Sequence, residues 1–228
     1  EELASDPHHQ DREIVIVSDC MESLPFSRPN TLFVRGPILE QETYLRARVN
    51  DARMAIVLAT SYSDLNSDAV VASAVAVIDS LKPDVHIVAE CLNPKHRMLF
   101  ATVHCDAIVS SLSISGNLLV QEVHDPGVAQ MIEVITSNVR GTTLFSTAVE
   151  ENDLPHSYHH LATELLHHDV NLMSVNRGDE SHTSFKDLVP APGDRLIYAA
   201  SRRLSWSQLK GMVGVEMDDS SYREANES

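Results

Sequence analysis

The stretch "EIVIVSDC", residues 13–20, sets four β-branched aliphatics in succession, then Ser18, then Asp19. Such side chains favour an extended backbone, and the lack of polar alternation points to a strand covered on both faces, as in a parallel sheet. An acid at the carboxyl tip of such a strand is where nucleotide-binding α/β sheets grip a ribose. There the acid-tipped strand is the second, preceded by a first strand and a glycine-rich turn. The twelve residues before Glu13 contain no glycine, so the phosphate loop has to be sought elsewhere.

Working outward, short apolar runs recur at "TLFV" (31–34), "AIVLA" (55–59), "HIVA" (86–89) and "AIVS" (107–110). Helical patterns separate most of them. "LEQETYLRARV" (39–49) brings Leu39, Thr43, Leu45 and Val49 near one face. "NSDAVVASAVAVIDS" (66–80) opens on cap-like residues, and "NPKHRMLFATV" (93–103) offers proline at a first helical position. Pro25 and Pro29 leave little room for a helix in the 20–30 crossover. Strand alternating with helix predicts a parallel sheet with right-handed crossovers.

Beyond residue 110 the rhythm changes. Residues 113–135 read as two helices meeting at "DPG", where Pro126 removes a backbone donor and Gly127 permits a sharp bend. A small α+β unit follows, with strands at "TTLFST", "VNLMSVNRG" and "DRLIYAAS" and a helix near 155–168. The expected organisation is a Rossmann-like N-lobe over 1–112, crossover helices over 113–138, an α+β C-lobe over 139–204 and a polar tail over 205–228.

Composition excludes several classes. The net charge of −16 disfavours nucleic acid and anionic membranes as partners. The three cysteines form no CxxC pair, which suggests neither zinc nor a disulfide framework and fits a reducing compartment. No apolar run approaches the roughly 20 residues of a membrane span, and no signal peptide is recognisable. The first residue is Glu1, from which a fragment or processed chain is expected.

Taken in order, "IVIVSD", "LFVRGP", "LRARVNDARMAIVLA", "SDAVVASAVAVIDSLKPDVHIVAE", "CDAIVSSLSISGNLLVQ" and "VNRGDE…PAPGDRLIYAA" resemble the regulator-of-potassium-conductance (RCK) domain. This is the cytosolic gating module of potassium channels and of Trk/Ktr uptake systems. The resemblance covers residues 1 to about 204, and "DPGVAQM" is also similar to the CASTOR/POLLUX branch of ion channels. It implies a regulatory rather than enzymatic role at the cytoplasmic face of a membrane, beneath a pore domain encoded upstream. It also implies a homodimer through residues 113–135, assembled into a tetrameric or octameric ring. "EELAS" (1–5) resembles the last turn of the helix before the acid-tipped strand, which puts the first strand and glycine loop upstream of this chain. The alternatives are a stand-alone Trk/Ktr regulatory subunit and, sharing the half-sheet, an NAD-dependent dehydrogenase.

The resemblance implies NAD or an adenine nucleotide as ligand, held by Asp19 at the ribose, Arg35 at a phosphate, and Gly36, Thr60 and Glu90 around the crevice, with Ser61 beside Thr60. Nucleotide-binding members end the third strand in Gly-Asp; here Gly36 precedes Pro37 and the acid is lost. Calcium-gated members carry three carboxylates. Only Glu90 matches, with Leu58 and Leu92 at the other positions, and calcium needs six or more oxygens. His156, His160 and His167 share a helix face at zinc-compatible spacing. Leu161, Ala162 and Leu165 point the other way, so that face is expected to be solvated. No GxSxG, HExxH or Walker sequence is present.

Overall fold

The computed structural model describes residues 12–139, 141–151 and 153–213. The helix turn expected at residues 1–5 and the chain beyond 213 lie outside the described residues. The chain divides into two compact units, one ending at Ala129 and the other resuming at Gln130. The first of the crossover helices therefore belongs with the N-terminal unit, rather than to a separate segment starting at 113.

The N-terminal unit contains β1 (Ile14–Ser18), β2 (Thr31–Arg35), α1 (Gln41–Arg46), β3 (Met54–Val57), α2 (Ser67–Leu81), β4 (His86–Glu90), β5 (Ala107–Val109) and α3 (Ser111–His124). All five predicted strands form, and all their pairings are parallel. They fall into two sheets, β1–β2 and β3–β4–β5. β1, β2, β3 and β5 thus each keep one edge without a ladder partner among the described residues.

This division overturns part of the burial expectation. Only β4 has the inside of a two-sided sheet, with Ile87 and Ala89 fully buried. β1 is half-buried throughout, and Met54 and Ile56 of β3 are exposed. A strand needs neighbours on both edges before its two faces can be covered along its length.

α2 supplies most of the packing. Val71, Ala72, Val75 and Ile78 recur at helical spacing and meet Val85, Ile87, Ala89, Cys91 and Phe100 in one core. The predicted 39–49 helix is shorter than expected. It stops at the Ala47 cap, and Arg48 takes a left-handed backbone (φ 59°) before a 3-10 turn over Val49–Asp51. That turn places Val49 in the core, while Leu39 and Leu45 stay exposed. Pro94 opens a 3-10 helix over Pro94–Phe100. The elbow forms as read: α3 ends at His124, Gly127 has φ 103°, and α4 runs Val128–Ile135. The Glu122 carboxylate accepts from the amides of Gly127 and Ala129 and so caps the new helix.

The C-terminal unit is an antiparallel sheet in the order β6-β9-β7-β8, with β6 at Thr143–Ala148, β7 at Asn171–Arg177, β8 at Glu180–His182 and β9 at Arg195–Ala200. β8 is an addition to the reading: "NRGDE" is the turn of a β7–β8 hairpin, with Gly178 at φ 56°. α5 (Tyr158–Leu166) buries Tyr158, Leu161 and Leu165 on the sheet.

The expected polar tail needs correcting at its start. Trp206–Gly211 form α6, with Trp206 and Leu209 buried in the core. Ser205 and Gln208 close a reciprocal capping box, and the apolar pair at i and i+3 gives this short helix one adhesive face. No helix among the described residues is long and apolar enough to cross a membrane.

Candidate functional site

The carboxyl ends of the five parallel strands carry the candidate residues in two groups. The first sits on β1 and β2. Ser18 pairs with Arg35 at the end of the ladder, and the Gly36 amide donates to the Ser18 carbonyl (3.2 Å). Asp19 follows, exposed, with the Cys20 thiol donating to its Oδ1 (3.1 Å). Its charge reaches Tyr44, whose phenol is pushed up to about 12, first by burial and then by Asp19. Arg35 is exposed, and its guanidinium lies 3.8 Å from Glu22. A surface pair of that length contributes little, so the guanidinium is free to turn to another anion.

Gly36 has a packing reason. A Cβ there would lie 2.6 Å from Thr43 Oγ1 and 2.5 Å from an Arg46 nitrogen. The same Arg46 nitrogen donates to the Arg35 carbonyl (2.7 Å), so α1 is drawn against the strand tip. Thr43 is buried and cannot give way. Gly36→Ala is expected to destabilise the unit by about 1–3 kcal/mol, as overpacking does, read by urea unfolding. A change within error would show that the β2 tip yields freely.

The second group sits on β3, β4 and the start of α3, and Glu90 is its hub. Glu90 Oε2 accepts from the Ala59 amide (2.9 Å). Its Oε1 accepts from the Tyr62 hydroxyl (2.7 Å) and the Ser111 hydroxyl (2.6 Å). Burial pushes this carboxyl up, but the three donors outweigh it and the pKa lies below its ordinary value. Thr60 belongs to the same loop, yet its amide and that of Ser61 donate to Ser67 Oγ. Asp68, buried in the first turn of α2, accepts from the amides of Leu92 (2.7 Å) and Asn93 (3.0 Å) and bonds His96 Nδ1 (2.8 Å). Burial raises the Asp68 carboxyl, and these partners more than reverse it.

These bonds bear on what the crevice can hold. Backbone amides at strand ends and helix starts are natural anion cradles. Here those of residues 59–61, 92 and 93 are already taken by the chain's own Glu90, Ser67 and Asp68. A phosphate would find Arg35 but no free amide nest in the second group. The Asp68–His96 pair has the look of a proton relay. The other ring nitrogen of His96 faces the side-chain nitrogen of Asn93 at 3.3 Å, and among the described residues no hydroxyl or thiol bonds to it.

Asp19, Arg35 and Gly36 are thus brought together, as are Thr60 and Glu90, and no hydrogen bond or ion pair among the described residues joins the two groups. Tyr62, Ser67, Asp68, His96 and Ser111 were not singled out from sequence. The polar opening of α2, "NSD", was the available signal for two of them, whereas nothing local marks Tyr62 or Ser111. Leu58 is 65% exposed, and both oxygens of Glu90 accept from the chain's own donors. No cluster of three metal-ligating side chains occurs among the described residues. His156 and His167 are exposed, as expected of a solvated face, but His160 is half-buried with its Nε2 unpartnered.

Residues 1–89 match the family model described as the calcium-activated potassium channel slowpoke-like RCK domain. The human SLO3 gating ring superposes with a TM-score of 0.67 at 13% identity, over 96% of this chain and 45% of that one. The chain therefore spans less than half of the ring chain it matches. The GsuK RCK domain aligns over 89% of this chain and 41% of its own at 16% identity, with a TM-score of 0.42. A GsuK channel bound to NAD aligns over 87% and 33% at 16% identity, with a TM-score of 0.41. No curated protein sequence matches.

Proposed function

We propose that this chain, RCK-type in fold, is a ligand-sensing regulatory domain of a potassium channel, in which occupation of the strand-end crevice alters how copies associate and so biases a pore domain. The observation that carries this reading is α3. It buries none of its residues, although Leu112, Ile114, Leu119, Val120 and Val123 are all exposed apolar side chains. Leu112, Leu119, Val120 and Val123 recur at helical spacing along one stripe. Gly116 lies between them with open space where a Cβ would be, so another helix can approach closely. A stripe of that kind suits assembly with a second copy. The slowpoke-like match over residues 1–89 and the gating-ring fold support the same reading.

The ligand is NAD or an adenine nucleotide. Asp19 accepts ribose hydroxyls, Arg35 turns from Glu22 to a phosphate, and Thr60 lines the far side. The diphosphate cradle comes from a strand and glycine turn that pair with the open edges of β1 and β3. Those edges are aliphatic and parallel-sheet-like, and the amides of residues 59–61, 92 and 93 are otherwise engaged. A longer chain supplying that strand is expected to gain about 2.7 kcal/mol of stability at 100 times the nucleotide Kd, and Asp19→Ala to weaken binding at least about tenfold. An unchanged affinity in Asp19→Ala removes the ribose assignment. Calcium is expected to give no stabilisation through Glu90; a calcium-dependent Tm rise abolished by Glu90→Gln would overturn that.

A further inference from the structure

α3 begins in an unusual way. Its N-cap residue is Ser110, a residue type that caps well, yet the Ser110 side chain makes no capping bond. Its hydroxyl is buried and has no partner among the described residues. Beside it, the Ser111 hydroxyl is spent on Glu90 at 2.6 Å. The helix start is therefore held by a tether to β4, while the hydroxyl that would ordinarily hold it stands idle. Leaving a buried hydroxyl unpaired costs free energy comparable to the bond it forgoes. A charge-assisted bond to a carboxylate can offset that cost.

We propose that the first turn of α3 is a two-position element, held in one position by Glu90 and in the other by the Ser110 cap, with Glu90 reporting the state of the 59–62 loop to α3. In the position seen here, Glu90 gathers Ala59, Tyr62 and Ser111, so the crevice loop and the helix share one carboxylate. A ligand that draws Tyr62 or the Ala59 amide away leaves the carboxylate with fewer donors. Glu90 then turns to water, Ser111 is released, and the first turn rotates until Ser110 Oγ accepts from an amide one turn on. The two positions exchange one bond for another, which is the balance a switch requires. The exposed apolar stripe lies on the same helix, so a rotation of its first turn re-aims Leu112 at any assembled neighbour. The inference rests on the regulatory reading for its consequence but not for its test.

The test is hydrogen exchange of the chain alone, with no ligand or pore. Peptides covering residues 114–118 report α3, and those of the C-terminal unit serve as the folding control. Ser110→Ala should leave the 114–118 amides within about twofold of the parent, because no bond is lost. Ser111→Ala should raise their exchange by no more than about threefold, because the cap takes over. The double variant should exceed the product of the two effects by about tenfold, since neither hold remains. Tyr62→Phe, which removes the loop's hydroxyl from the Glu90 oxygen it shares with Ser111, should speed the same amides in the Ser110→Ala background. A double variant equal to the product of the singles overturns the proposal, and so does a Tyr62→Phe effect confined to residues 59–66. Failure of the nucleotide experiment above would leave this result standing.

Discussion

Asp194→Ala is expected to cost about 3–5 kcal/mol and to lower Tm by on the order of 15 °C or more in a unit of this size. Asp194 is fully buried at the entrance to β9. Its carboxylate takes a bidentate pair from Arg177 (2.7 and 2.8 Å), the Tyr158 hydroxyl (2.6 Å) and the Ala191 amide (2.9 Å). Arg177 also donates to the Val189 carbonyl, so the network closes the loop between β8 and β9 over the end of the sheet. Removing the carboxylate strands a buried hydroxyl and a buried amide together and leaves the guanidinium half without its partner. Tyr158→Phe deletes one bond and should cost about 1–2 kcal/mol.

The same network makes a pH prediction. Burial raises the Asp194 carboxyl, but Arg177, Tyr158 and the Ala191 amide outweigh it and the folded pKa lies below the ordinary value. The unfolded chain then takes up the proton first, near pH 3.9. The stabilisation is complete above that value and is lost as pH falls through the folded pKa. Asp68 and Glu90 act with the same sign. Urea unfolding between about pH 3 and 7 should therefore show stability falling on the acid side, with a shallower fall in Asp194→Asn. An Asp194→Ala protein as stable as the parent, or an unchanged acid slope in Asp194→Asn, removes the network from the account of stability.

Leu119→Glu combined with Val123→Glu should weaken self-association by at least about 1000-fold, since two carboxylates would have to be buried without partners. Leu119 is 72% and Val123 77% exposed, and they stand one turn apart on the stripe that includes Gly116. Because α3 contributes nothing to the core around α2 and β4, the variant should keep its secondary structure and its unfolding transition. Sedimentation of the parent over a range of concentrations should show a dimer or larger assembly, and of the variant a monomer. A parent that stays monomeric at high concentration, or a variant that still dimerises, removes the assembly half of the proposed function. The crevice chemistry would be unaffected.

The residue order alone determined where the strands and the main helix run. "IVIV", "TLFV" and "HIVA" are extended because β-branched side chains restrict their own backbones, and the apolar period of 66–80 declares a buried helix whatever it packs against. "DPG" broke the crossover into α3 and α4 for an equally local reason, a missing donor beside a residue tolerant of positive φ. Other features were settled between residues far apart in the chain. Glu90 became a hub only when the fold brought Tyr62, 28 positions before it, and Ser111, 21 positions after it, within bonding distance. Gly36 owes its identity to Thr43 and Arg46 arriving overhead. Trp206 turned an apparent tail into a core helix because the C-terminal sheet had a surface for it to cover. Local sterics act within a few bonds and so can be read in a line of residues. A carboxylate's partners are chosen by topology, and the same Glu90 that reads as a residue lining a nucleotide crevice folds into a bond between a loop and a helix.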